Sequence, residues 1–449
     1  MLNLFTKAAS LLLGDLADGS AGQHAQRLLE ALDYVPAAGI PARACEIDAE
    51  TRHRARLLEI AAKFSRIFEL TAPDAPGLVS FAAELDPALA DPLHQGCPQV
   101  GVSGVGLTQQ EAFQGCVGEG IEYLSQLQSE NDLPSRLGSL ETAVPERPLR
   151  DFAAMLASYR KDSDLELSWY KAVRLSDGRA APLPADVCLR RPPAQQQVTP
   201  PFPLSIGSAA GACWEGAALH GLLELIERDA ASLWWRGGRR GRALPERHDF
   251  ETESLLLRLR AASSTRRRTW LLDITTDNGI PAVAALSCRP DGFGFAFGLA
   301  ARLTLQAAIR SAILEMCQIE LAYAVVEAKR GEHGEAALNA ADRTHLQRAT
   351  MVMADECALL HPVAEPAEHV ILDAMDPRSA LELLVRHLEA SGIEIYGLDL
   401  TRPRFAVPVA RIIAPGLQLE PSGFVTARLA EMMARTGGGA LYTAGIPLI

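Results

Sequence analysis

The chain has 449 residues, of which 48% are hydrophobic and 22% charged, with a mean hydropathy of +0.06. These values exclude a disordered chain and support a buried core organised as one large domain or two ordinary ones. A net charge of −12 and a pI near 5.4 argue against nucleic acid, or any partner gripped through nonspecific phosphate contacts. In chain order, the start MLNLFTKAASLLLGDLADG is a weak signal-peptide candidate, because Asp15 and Asp18 break its apolar stretch early. Gln23 to Asp33 and Glu50 to Phe68 read as helices, with apolar Leu28, Leu29 and Leu32, then Leu57, Leu58, Ile60, Ala61 and Phe64. Pro73 and Pro76 end that pattern. Residues 1–70 therefore read as a small helical extension without chemistry of its own.

From residue 71 short apolar strands alternate with helices. Trp270 to Ala301 predicts an antiparallel meander with turns at DNG and RPDG. Arg190 to Phe202, RRPPAQQQVTPPF, reads as a surface loop inside one continuing domain. Ala380 to Ala390 predicts an amphipathic helix stopped near Gly392, before the strand-like IEIYGLDL and VPVARIIA. Strands and helices intermix without βαβ regularity, which favours an α+β fold over residues 71–449. The eight cysteines are scattered with no C-x-x-C pair, so a reducing cytoplasm is expected and a zinc ribbon is not. No uncharged apolar run approaches the roughly 18 residues of a membrane span.

Three segments share a template: Ser103 to Leu124, Ser205 to Ala230 and Gly298 to Leu321. In each, a small-residue loop enters a helix at Thr108, Cys213 or Thr304. Four residues later stands Ala112, Ala217 or Ala308, then Glu119, Glu224 or Glu315, then Glu122, Glu227 or Gln318, at identical spacing. Residues at i and i+3 share a helix face, so each pair of side chains points into one space. The helices are otherwise apolar, and adjacent carboxylates in such a setting repel one another unless a cation screens them. Hard oxygen ligands suit magnesium, which commonly bridges carboxylates to nucleotide phosphates. A single E-x-x-E is usually a solvated helix face; three in register after small-residue loops point to function.

Arginine supplies the opposite charge. Arg228 follows Glu227, Arg236, Arg239, Arg240 and Arg242 come soon after, and Arg411 sits within an apolar strand where it needs an anionic partner. Other devices are absent: there is no P-loop, no G-x-S-x-G and no H-E-x-x-H.

At these residues the chain resembles the YcaO family, in its azoline-forming branch. SIGSAAG followed by LELIERDAASLWW is the most specific match, and GLDLTRPRFAVPVARIIAPGLQ is similar to the family's C-terminal D-x-T and V-x-R-x-x-V-P-G-L pattern. The resemblance implies a YcaO-type mixed fold with the three related units around a nucleotide site. It also implies ATP and Mg2+ as cofactors for activating backbone amides. Carried over by position, Glu119, Glu122, Glu224 and Glu227 would organise magnesium, while Ser205, Glu215, Arg228 and Arg411 would hold the nucleotide and its phosphates. Glu315 and Gln318 would complete the pocket, and Pro447 and Ile449 of the tail would order it.

The implied activity is cyclodehydration, making thiazoline or oxazoline from Cys, Ser or Thr of a ribosomally made precursor peptide, as in antibiotic biosynthesis. The implied partners are that peptide, a leader-binding protein and a flavin-dependent azoline dehydrogenase, in an oligomeric assembly. A non-catalytic YcaO scaffold and a thioamide-forming enzyme are the alternatives. The chain departs from the family at Val105, Tyr123, Ile206, Ala212 and Gly216, where polar residues are usual. Its end is AGIPLI rather than proline-rich. Apolar Leu448 and Ile449 predict a tail packed inward beside the acidic helices, whose removal affects ring formation more than stability.

Overall fold

The computed structural model describes residues 3–14, 20–35, 48–138, 147–162, 166–245, 248–261, 267–363, 369–372 and 376–449. Helices α1 (Leu4–Leu12), α2 (Ser20–Ala31) and α3 (Ala49–Ala61) come first. The helix expected to reach Phe68 stops at Ala61, and strand β1 (Arg66–Glu69) follows. The strand wins because its backbone pairs with β2 (Val79–Leu85), in a register that also joins Arg66 to Glu84 in an ion pair. β3 (Val100–Gly106) completes a sheet of order β1-β2-β3 and leads into α4 (Gln109–Gln126).

The middle of the chain adds β4 (Arg136–Gly138), α5 (Arg147–Ala157), β5 (Leu167–Arg174), β6 (Ala180–Pro184), β7 (Ser208–Ala210) and α6 (Trp214–Trp235). After α7 (Asp249–Arg260), strands β8 (Arg268–Asp273), β9 (Ala282–Cys288) and β10 (Ala296–Ala301) form the expected antiparallel meander, and α8 (Leu305–His333) follows. Then come α9 (Ala340–Met351), α10 (Pro377–Ala390), β11 (Tyr396–Asp399), β12 (Val409–Ile413) and α11 (Ala427–Thr436). β11 and β12 join the central sheet, ordered β4-β5-β11-β12-β7 with β6 on β5; every pairing is antiparallel. This is the mixed α+β architecture read from the sequence.

Burial explains the apolar texture. Every residue of β9 and β10 is buried, with Ala284 and Leu286 facing one hydrophobic cluster and Val283 and Ala285 facing another. The described residues among the first 69 share the larger cluster with the rest of the chain. Phe113 of α4 stacks on Phe5 at 5.8 Å and takes Tyr34 and Phe81 edge-on at 6.1 and 5.9 Å. Among the described residues no helix is long and apolar enough to cross a membrane. The described cysteines are free thiols, five of them buried; Cys45 lies outside the described residues.

Candidate functional site

The three repeats fold as equivalent strand–helix units: β3 with α4, β7 with α6 and β10 with α8. Thr108, Cys213 and Thr304 are the helix N-caps, their side chains accepting from the N–H groups of Glu111, Gly216 and Ala307. Each unit's strand lies at an edge of its own sheet. Edge strands carry N–H groups that no neighbouring strand satisfies. Two glutamates satisfy such groups, Glu119 accepting from Ser103 N–H at 2.8 Å and Glu315 from Leu299 at 2.9 Å, while Glu224 accepts from Gly207, just before β7, at 2.9 Å.

The second position of each pair reaches into the next unit. Glu122 accepts from Ala210 N–H of the second unit at 2.9 Å, and the Gln318 amide donates to Ser103 Oγ of the first at 2.9 Å. α6 packs on β10 in turn, closing a ring of three units. Residues that lie about 100 positions apart in sequence are thereby gathered at the ring's centre.

The electrostatics record this convergence. Desolvation first, then the Glu224 and Glu119 carboxylates, push Glu122 up to about 8. Burial also raises Glu227, with Arg228 opposing and Glu315 adding to the shift, and it raises Glu119 and Glu315. Yet Glu119 is solvent-exposed, and Glu122, Glu224 and Glu315 are half-buried. Side chains that water reaches while protein mass surrounds them line a crevice. Arg228 is the cation among them, with Nη2 at 3.4 Å from Glu224 and Nε at 3.7 Å from Glu227. Its Nε is buried without a hydrogen-bond partner. Arg302, which sequence reasoning missed, adds positive charge beside Glu227 and Glu315; its position just before the Thr304 cap was the only signal.

Among the described residues no three acidic, histidine or cysteine side chains are arranged to grip one metal ion. The expected magnesium ligands share the crevice, but Glu119, Glu122 and Glu224 each commit one oxygen to a backbone N–H. The donor set still fits a hard divalent cation: Glu119 and Glu122 each keep a second oxygen, the second oxygen of Glu224 faces Arg228 Nη2 at 3.4 Å, and the mutual repulsion at Glu122 is what such an ion would relieve.

Other expected residues stand differently. Ser205 is exposed beside the Gly207 loop and Glu215 half-exposed in the first turn of α6. Arg411 is 1% exposed and contacts no carboxylate. Its guanidinium donates to the carbonyls of Leu204 (2.8 Å), Val187 (3.3 Å) and Ile206, and to Ser208 Oγ. The anionic partner expected from its apolar strand is therefore replaced by backbone oxygens. Arg411 holds the 204–208 loop in place and presents no open face to a phosphate.

The tail packs inward against the C-terminal end of α6, one of the acidic helices it was expected to lie beside. Leu448 is fully buried, Trp235 Nε1 donates to the Ile446 carbonyl at 2.7 Å, and buried Arg348 donates to the Leu448 carbonyl. Trp235 is eight residues beyond Glu227, about 12 Å along the helix axis at 1.5 Å per residue. The tail docks there because Phe295 stacked on Trp235 at 5.9 Å and Phe297 beneath Arg348 offer an apolar seat. Pro447 itself is exposed and borders a cavity of about 450 Å³ with Arg236 and Glu420.

Known proteins share this fold. An uncharacterized protein of Methanothermobacter thermautotrophicus is 28% identical over 370 residues, covering 79% of this chain and 90% of that one. A solved heterocyclase in complex with substrate and cofactor superposes with a TM-score of 0.64 at 22% identity, over 85% of this chain. This chain spans only 55% of that heterocyclase's length. The YcaO protein from Methanopyrus kandleri, bound with AMPPCP and Mg2+, gives a TM-score of 0.55 at 19% identity over 83% of this chain and 92% of that one. Residues 103–418 match the family model described as "YcaO cyclodehydratase, ATP-ad Mg2+-binding", a span that contains all three acidic units. The chain belongs to the YcaO family, whose cofactors are ATP and Mg2+.

Proposed function

We propose that the chain is the ATP-dependent cyclodehydratase subunit of a system that forms thiazoline or oxazoline rings in a ribosomally made precursor peptide. The observation that carries this reading is the gathering of Glu119, Glu122, Glu224, Glu227 and Glu315 around one crevice with Arg228 among them. In this reading Glu119, Glu122, Glu224 and Glu227 hold Mg2+, the last two sharing their oxygens with Arg228, and Arg228 and Arg302 flank the phosphates. Ser205 and Glu215 border the nucleotide. When bound, ATP supplies the phosphoryl group that turns the peptide's amide oxygen into a leaving group.

The chain's own part is to hold charge and shape. The backbone N–H groups orient the carboxylates, so the crevice needs little reorganisation when its cations arrive. Gln318 ties the third unit to the first and Glu122 the first to the second, fixing the distances across the site. A Cys, Ser or Thr side chain of the peptide would attack the preceding carbonyl, and the oxygen of that adduct, once phosphorylated, would leave as phosphate, so the peptide loses the mass of one water per ring. The peptide's leader is bound by a partner protein, and a flavin-dependent dehydrogenase oxidises azoline to azole.

One observation favours a second reading, a non-catalytic scaffold. Four of the glutamates already satisfy backbone N–H groups, a structural role that needs no nucleotide. Calorimetry with magnesium and a nonhydrolysable ATP analogue separates the two. Binding is expected for the cyclodehydratase, and none at millimolar nucleotide with peptide and partner present supports the scaffold. Glu224→Gln and Glu227→Gln are expected to abolish the loss of water while leaving the fold intact. Full activity in both would refute the assignment.

A further inference from the structure

The three units are not alike in their arginines. Arg228 stands fifteen residues after the Cys213 cap; the same position holds Tyr123 after Thr108 and Ile319 after Thr304. Only the second unit carries its own guanidinium at that place. The first unit receives one from elsewhere. The Arg190 guanidinium lies over the Tyr123 ring, 5.2 Å from its centroid, and its Nε donates to Gln126 Oε1 at 2.8 Å.

The location is specific. Tyr123 is four residues beyond Glu119, and Gln126 four beyond Glu122, so all four side chains share one face of α4. A group that touches both the ring and the amide sits about one turn, 5.4 Å, along that face from the paired carboxylates. The backbone is pinned there as well. Arg190 N–H donates to the Gln126 carbonyl at 2.7 Å, and Gln128 N–H donates to the Arg190 carbonyl at 3.0 Å.

This placement leaves a cation without an anion. Among the described residues no carboxylate pairs with Arg190, and the only side-chain hydrogen bond its guanidinium makes is through Nε. Nη1 and Nη2 keep four donors on a half-buried, rigidly held fork. Burial lowers its pKa, with only Tyr123 opposing, and Arg411 lies close enough that Arg190 lowers the Arg411 pKa as well. Arg411 has spent its donors on carbonyls. The open guanidinium at this end of the site is Arg190.

We propose that Arg190 is a phosphate-binding residue of the nucleotide site, carried on the Tyr123 ring to the place where the first unit lacks an arginine of its own. This rests on the reading of the crevice as a Mg-ATP site. A divalent ion on Glu119 and Glu122 would bring phosphate oxygens to that face of α4, where the open fork matches them bidentately.

The test is calorimetry on the full chain with two probes, magnesium tripolyphosphate and magnesium with a nonhydrolysable ATP analogue, alongside thermal melting. Arg190→Ala is expected to weaken both probes about tenfold or more, the size of a lost charge-assisted hydrogen bond, with an unchanged Tm. Arg190→Lys should recover part of the loss and Arg190→Gln none. Binding of both probes by Arg190→Ala within twofold of the wild-type chain overturns the proposal and leaves the Mg-ATP reading standing. So does an affinity that falls only together with Tm, equally in Arg190→Lys and Arg190→Gln, since that marks a structural role. If the wild-type chain binds neither probe at millimolar concentration with peptide and partner present, the Mg-ATP reading falls and this proposal with it. Should Arg190→Ala fail to fold, the Lys and Gln variants decide.

Discussion

Glu122 carries the site's tension in a single side chain. Its folded pKa of about 8 lies above the ordinary value of 4.5, so near neutral pH the folded state holds a proton that the unfolded chain has released. Its stabilising contribution is therefore complete below the unfolded pKa and is lost as pH rises from 4.5 to about 8. Glu227 acts in the same direction. In EDTA, Tm is expected to decline across that window, and saturating magnesium should flatten the slope by favouring the ionised carboxylates. Glu122→Gln keeps an oxygen for the Ala210 N–H and removes the charge. It is expected to raise the Tm of the metal-free protein at pH 8, by the equivalent of roughly 1–3 kcal/mol, while impairing ring formation. A Tm independent of pH in EDTA would show that burial and the neighbouring carboxylates do not hold Glu122 protonated in the folded state.

Each acidic helix lies flat on its strand, and glycine permits the approach. A Cβ on Gly298 would stand 2.1 Å from the Ala312 carbonyl oxygen and 2.2 Å from Met316 N; one on Gly104 would stand 2.1 Å from Cys116 N. Both clashes are with helix backbone, which cannot rotate away. Gly298→Ala is expected to cost ~1–3 kcal/mol or more in urea denaturation and to displace Glu315 from Leu299. Gly101, with nothing within 4 Å of its Cβ direction, is the control and should tolerate alanine. Thr304→Ala tests the same unit from its cap, with an expected loss of about 1 kcal/mol.

Across the whole molecule the tail is a structural strap. Leu448 is 0% exposed, and its carbonyl accepts from Arg348, itself 1% exposed. Leu448→Ala should cost ~2–5 kcal/mol, and deleting the last three residues should lower Tm clearly, since it also strips a buried guanidinium of an acceptor. This reverses the expectation that truncation would spare stability. Pro447→Ala, at an exposed position, should leave Tm unchanged, so it isolates any effect of the tail on ring formation. Differential scanning calorimetry is also expected to show one transition, because Phe5 and Tyr34 pack on Phe113, so the described N-terminal helices share the main core.

Helical periodicity and constant spacing determined the three units, their caps at Thr108, Cys213 and Thr304, and the acidic face of each helix. These follow from contacts within a few residues, which any reading of the chain contains. The α+β class and the meander after Trp270 were legible for the same reason. Tertiary structure alone decided what the side chains do with their polar atoms. Which N–H each glutamate satisfies, why Arg411 needs no carboxylate, how Arg190 comes to lie on Tyr123 and where Leu448 docks all depend on partners far apart in sequence. A buried polar group takes whatever donor or acceptor the packed neighbours bring within 3 Å or so, and only the assembled ring of three units brings them there.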